Sequence, residues 1–187
     1  MGKKWKLRRS EPVLSTEWLS VFRNEYDLGD GKTVNNYYVV ERDDFVLIVA
    51  LDADELLLVQ QYRAATDKCY TALPAGYLSA GESPEACARR ELLEETGYTA
   101  TTCRVIAKLD PLPGYIKSSA YVVFCTAERA RDAKPDLDEI NAVIRVPYDT
   151  VLPMILRGEI DEMQAVAAIL LAKVELGRQG TSANRYT

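Results

Sequence analysis

Three carboxylates, Glu91, Glu94 and Glu95, fall at i, i+3 and i+4, and Arg90 immediately precedes them. On a helix this spacing puts all three on one face. A solvated acidic face is one account of such a run. It suits Glu94, which Arg90 can pair with from four residues earlier. It suits Glu91 and Glu95 less well, because like charges at i, i+4 destabilise a helix by roughly 0.2–0.5 kcal/mol. Crowded carboxylates followed by a stop glycine are what a hard divalent cation such as Mg²⁺ would use.

The element that must carry these acids has its ends written in the sequence. Ser83 suits an N-cap, Pro84 the first helical position, and Glu85 the positive end of the helix. Gly97 is the usual residue for a left-handed stop. Upstream, Phe45–Leu51 and Leu56–Gln60 are apolar runs that suit strands buried on both faces, and Tyr70–Gly76 is a short strand feeding the helix. Downstream, Cys103–Leu109 and Ala120–Ala127 read as strands joined by the loop Asp110–Ser119. Residues 128–139 are polar and turn-prone, and Asn141–Pro147 is a last strand. Tyr148–Arg157 and Ile160–Leu176 read as helices. The second carries Met163, Val166, Ala167, Leu170 and Val174 at helical spacing, with Gly177 as its stop. Before all of this, residues 5–41 read as a β-rich region with a turn at Gly29-Asp30-Gly31. Its aromatics (Trp5, Trp18, Tyr26, Tyr37, Tyr38) exceed what a small hairpin can bury, and a partner subunit is one candidate to cover them. Strands flanking a central helix, with a closing helix, predict a sheet between helices.

The stretch Gly76–Tyr98 also resembles a known signature. Gly76, Glu82, Arg90-Glu91-Leu92, Glu94-Glu95 and Gly97-Tyr98 match the Nudix box at every defined position. The resemblance implies an α/β/α sandwich with a mixed sheet, here preceded by a small N-terminal antiparallel sheet. It also implies hydrolysis of a nucleoside diphosphate linked to another group, with two or three Mg²⁺ or Mn²⁺ ions. It makes Glu91 and Glu95 the principal metal ligands, with Glu94 assisting and the Ala75 carbonyl completing the shell. Arg90 and Glu82 brace the loop and helix.

Outside the box, from about Trp18 to the last helix, the chain resembles the ADP-ribose and ADP-sugar pyrophosphatases. Pro113, sixteen residues beyond Gly97, matches a proline of that branch. Val59-Gln60-Gln61-Tyr62-Arg63 resembles its strand ending in a substrate-binding arginine, so Arg63 is either a phosphate contact or an exposed strand-end cation. Trp18 and Tyr37 sit where some members sandwich adenine, a stacking arrangement worth about 1–3 kcal/mol per base. Ordinary packing of the N-terminal strands is the other account of them. The branch takes its general base from the loop before the last strand. Here that loop holds Asp136, Asp138 and Glu139, of which Glu139 aligns best. The branch further implies a homodimer, and a division into an N-terminal strand region (1–41), a catalytic domain (42–177) and a tail (178–187).

Composition narrows the alternatives. The chain has 187 residues, 48% hydrophobic and 27% charged, and a net charge of −5, so nothing draws it as a whole to nucleic acid or an anionic membrane. No apolar run approaches a membrane span, and the charged opening lacks a signal-peptide core. The expectation is therefore a cytoplasmic protein whose four scattered cysteines are free thiols. The absence of histidine removes imidazole bases and histidine metal sites. The leading expectation is hydrolysis of ADP-ribose to AMP and ribose 5-phosphate. A hydrolase of another nucleotide sugar, such as GDP-mannose or ADP-glucose, is the near alternative. A nucleotide-binding domain without catalysis is the distant one, because all the box carboxylates are present.

Overall fold

The computed structural model describes residues 4–131 and 140–183. In chain order the elements are β1 (Lys6–Ser15), β2 (Ser20–Gly29), β3 (Lys32–Glu41), β4 (Phe45–Asp52), β5 (Glu55–Arg63), β6 (Lys68–Ala72), β7 (Ala75–Tyr77), α1 (Pro84–Thr96), β8 (Tyr98–Leu109), β9 (Ile116–Lys117), β10 (Ala120–Arg129), β11 (Ile140–Pro147), α2 (Val151–Leu156) and α3 (Met163–Ala183). They form two compact units. The first holds the chain up to Asp44 together with Asp110–Ser119, and the second holds Phe45–Leu109 and the chain from Ala120 onward.

In the first unit the strands run in the order β1-β2-β3-β9. Asp30 and Gly31 connect β2 to β3, both with positive φ (54° and 74°), as a two-residue hairpin loop that follows strand twist requires. The Asp27 carboxylate accepts from the Gly29 amide at 2.7 Å and holds the approach to this turn. The segment Asp110–Ser119, a plain loop by sequence, returns to this sheet. Its β9 pairs in parallel with β3, and its end is held where Ser119 N–H donates to Asp44 at 2.7 Å and the Ser118 hydroxyl donates to the Asp43 carbonyl at 2.8 Å.

In the second unit, among the described residues, the sheet runs β11-β5-β4-β10-β8, with β6 paired to β5 and β7 to β4. Only the β4–β10 pairing in it is parallel. Period-2 alternation divides β4 between two cores. Val46, Ile48 and Ala50 face Cys87, Ala88 and Leu92 of α1, while Leu47 and Val49 face Val151 of α2 and Ala165, Ala168, Ile169 and Ala172 of α3. The result is the expected α/β/α sandwich with a mixed sheet. Burying one such aliphatic side chain is worth about 1.5–3 kcal/mol, so Leu92, fully buried, seats α1 firmly on the sheet.

Two expectations about the closing helix are corrected. The side chains it buries are Ala165, Ala168, Ile169 and Ala172, whereas Met163, Leu170 and Val174 are exposed and Val166 and Ala167 only partly buried. The buried face is thus made of three alanines and Ile169 rather than of the larger aliphatics named from the spacing. The helix also passes through Gly177, which lacks the positive φ of a stop, and continues to Ala183.

Candidate functional site

Local rules place α1. The Ser83 Oγ accepts from Ala86 N–H at 3.2 Å, Pro84 opens the helix, and Gly97 closes it at φ 73° with its amide on the Leu93 carbonyl. Glu82 is tied into the loop before the helix, accepting from the Ser79 amide at 3.0 Å.

Arg90 is the hub of the acidic face. Its Nε and Nη2 fork onto the two Glu82 oxygens at 3.1 and 3.0 Å, and Nη2 also donates to the Tyr77 carbonyl at 3.1 Å. Its Nη1 reaches Glu91 at 2.6 Å and Glu94 at 3.2 Å. The fork and the Ser79 amide hold the Glu82 carboxyl down at about 2, against the raising effect of burial. Arg90 is itself held more firmly protonated, chiefly by Glu82.

Glu91 is in a different state. Its side chain is 15% exposed, against 54% for Glu94. Burial raises its pKa despite Arg90, so the charged form is under-compensated. It fills the space beside Gly76, where a Cβ would stand 1.9 Å from the Glu91 Cδ and 2.0 Å from Oε1. Glu95 reaches the same short strand, its Oε2 accepting from the Ala75 amide at 3.1 Å. The fold therefore gathers Ala75, Glu91 and Glu95 at β7, with Glu94 on the outer side of Arg90. The Cys87 thiol lies beneath, donating to the Tyr77 and Gly76 carbonyls at 3.4 and 3.8 Å, with burial pushing its pKa up to about 12.

Carboxylates and a backbone carbonyl are the donors a hard cation prefers, and an under-compensated buried carboxylate is what such an ion relieves. Among the described residues no group of three or more Asp, Glu, Cys or His side chains could hold a metal alone. A cation here therefore needs main-chain oxygen, water or substrate phosphate as well, which is the usual habit of Mg²⁺.

The other predicted site residues are distributed as follows. Arg63 ends β5 with its Nη2 3.9 Å from Glu162, a carboxyl whose pKa burial raises. In the first unit, Tyr37 and Pro113 line one cavity of about 400 Å³ together with Tyr26, Gly114, Tyr115 and Lys117. Tyr37 donates its hydroxyl to the Gly114 carbonyl and meets Tyr26 and Trp5 edge-on, with ring centroids at 5.5 and 6.1 Å. Trp18 stands outside this cage. It sits in the β1–β2 turn, 70% exposed, its amide donating to the Thr16 hydroxyl. Glu139, Asp136 and Asp138 lie outside the described residues. Tyr26, named only among the N-terminal aromatics, and Tyr115 were not singled out as lining residues. Tyr26 was legible in principle, because the β2–β3 register sets Asn24 opposite Tyr37, with Tyr26 on the same face two residues on.

The NUDIX domain profile matches residues 41–168, which is more than half of the chain, so the chain belongs to the Nudix family. Among its relatives is an ADP-ribose pyrophosphatase of Mycobacterium tuberculosis, 33% identical over 166 residues, spanning 86% of this chain and 80% of the relative. Another is a GDP-mannose pyrophosphatase of Klebsiella pneumoniae, 30% identical over 170 residues, spanning 83% and 85% of the two chains. A crystal structure of an ADP compounds hydrolase superposes with a TM-score of 0.82 at 22% identity, covering 95% of this chain and 96% of the other.

Proposed function

We propose that this protein is a Mg²⁺-dependent pyrophosphatase of nucleoside diphosphate sugars, with ADP-ribose as its leading substrate, cleaved to AMP and ribose 5-phosphate. The observation that carries the reading is the seating of Glu91 against Gly76 and of Glu95 on the Ala75 amide. Two carboxylates thus meet the same short strand, β7.

In this reading Glu91, Glu95 and the Ala75 carbonyl hold the cation, and Glu94 assists. When bound, two or three Mg²⁺ or Mn²⁺ ions neutralise phosphate charge and acidify a water for attack. Arg90 pairs with Glu91 and Glu94 from behind, and Glu82 fixes Arg90 in turn. Glu139 takes the proton from the attacking water, a role assigned from its place in the sequence. Arg63, held near Glu162, contacts a phosphate oxygen. Tyr37 and Pro113 enclose the nucleobase in the cavity they share with Tyr26. Trp18, exposed in its turn, is available to a partner in the homodimer that the branch implies.

The names of the relatives favour two bases, adenine and guanine. A side-by-side assay of ADP-ribose, ADP-glucose and GDP-mannose with Mg²⁺ decides between them. AMP formed fastest from ADP-ribose supports the reading, and faster release of GMP from GDP-mannose moves the assignment to the second substrate. Nucleotide binding with no product from any of the three would make the domain a sensor.

A further inference from the structure

Cys103 and Cys125 are far apart in sequence yet directly opposite each other in the antiparallel register of β8 and β10. Their sulfurs are in contact at 2.8 Å, with both thiols free. Opposed residues on antiparallel strands have Cα atoms about 4.5–5.5 Å apart, inside the roughly 4.4–6.8 Å range a disulfide accepts. The strands therefore need no rearrangement for a bond to form. The two sulfurs also differ in access, since Cys103 is partly exposed and Cys125 fully buried. Arg89 of α1 approaches from above, its Nη1 donating to the Ala100 carbonyl on β8.

We propose that Cys103 and Cys125 are a reversible oxidation site that small-molecule disulfides close into a bond between β8 and β10. The accessible Cys103 thiolate attacks one sulfur of the small disulfide, forming a mixed disulfide and releasing the first thiolate. Cys125 then loses its proton and attacks the Cys103 sulfur, releasing the second thiolate. The two protein protons end on the two released thiols, and two electrons pass from the protein to the reagent. The hydrogen bond with Cys125 holds the Cys103 thiol below its ordinary value, and Arg89 assists against the opposing effect of burial. That same hydrogen bond, together with burial, keeps Cys125 protonated until its partner is modified. Cys87 is excluded by its buried, strongly protonated state. Cys69 is exposed on β6 and is expected to form only mixed disulfides.

The test uses the full chain, oxidised glutathione and non-reducing peptide mapping by mass spectrometry. The expected result is one intramolecular cross-link joining the Cys103 and Cys125 peptides, with the loss of two hydrogens, reversed by dithiothreitol. The Cys69→Ser/Cys87→Ser double variant should form the same bond, and it keeps both sulfurs of the pair. The proposal is overturned if Cys103 and Cys125 carry separate glutathione adducts, or stay unmodified while Cys69 reacts. It is also overturned if the link appears only after denaturation.

Discussion

Replacing Gly76 by alanine moves one carboxylate and little else. The new Cβ would stand 1.9–2.0 Å from Cδ and Oε1 of Glu91, where ordinary contact begins at 3.4 Å. The carboxylate must therefore retreat by roughly 1.5 Å, by rotation of a flexible side chain rather than by movement of backbone. A misplacement of about 1 Å in a reacting constellation costs roughly 10²-fold in rate, equivalent to about 2.7 kcal/mol of barrier. Gly76→Ala is therefore expected to lower kcat for ADP-ribose by about 10²-fold or more and to raise the Mg²⁺ concentration needed for half-maximal rate. Its thermal midpoint should stay within a few degrees of wild type, because β7 and α1 keep their contacts. The assay is AMP release across a Mg²⁺ titration, paired with a melting curve. A folded Gly76→Ala protein with wild-type kcat and Mg²⁺ dependence would show that the position of Glu91 does not matter to turnover.

Four further outcomes are expected. Glu91→Gln should melt at or above wild type without metal, since its raised folded pKa means the buried charge opposes folding at neutral pH, yet Mg²⁺ should no longer raise its midpoint; a lower metal-free midpoint contradicts the burial argument. Glu82 has its folded pKa depressed to about 2 from 4.5, so its contribution is complete above pH 4.5 and lost as pH falls towards 2. The midpoint difference between wild type and Glu82→Gln should shrink over that window, and a pH-independent difference rejects the Arg90 fork as its cause. Glu139→Gln should lower kcat by roughly 10²-fold or more with KM little changed, and unchanged turnover removes it as the base. Tyr37→Ala should raise KM by between about fivefold and a hundredfold, the range that loss of a 1–3 kcal/mol stacking contact spans, whereas an unchanged KM separates the aromatic cavity from substrate binding.

What the sequence could disclose follows from how local each determinant is. The ends of α1 were readable because Ser83, Pro84 and Gly97 act on backbone within one turn. The strands β4 and β5 were readable because burial on both faces leaves near-continuous apolar runs. The buried face of α3 was not, because that helix is apolar on several sides. Its buried face is carried mainly by alanines, which hydrophobicity alone does not single out. The aromatic cavity was half legible. Tyr37 and Pro113 were named separately, but only the return of Asp110–Ser119 to β3 brings them together with Tyr26. The pairing of Cys103 with Cys125 is of the same non-local kind, fixed by register across two strands.

In the proposed function the Ala75–Glu91–Glu95 corner would hold the divalent cation needed to hydrolyse a nucleotide sugar. The most direct measurement is AMP release from ADP-ribose by wild type and Glu95→Gln, with Mg²⁺ and with the metal chelated. Rapid release by wild type with Mg²⁺ is expected, with none on chelation and a loss of at least about 10²-fold in the folded variant, the scale that displacement of a reacting group produces. Equal release with and without metal, or by variant and wild type, would contradict it.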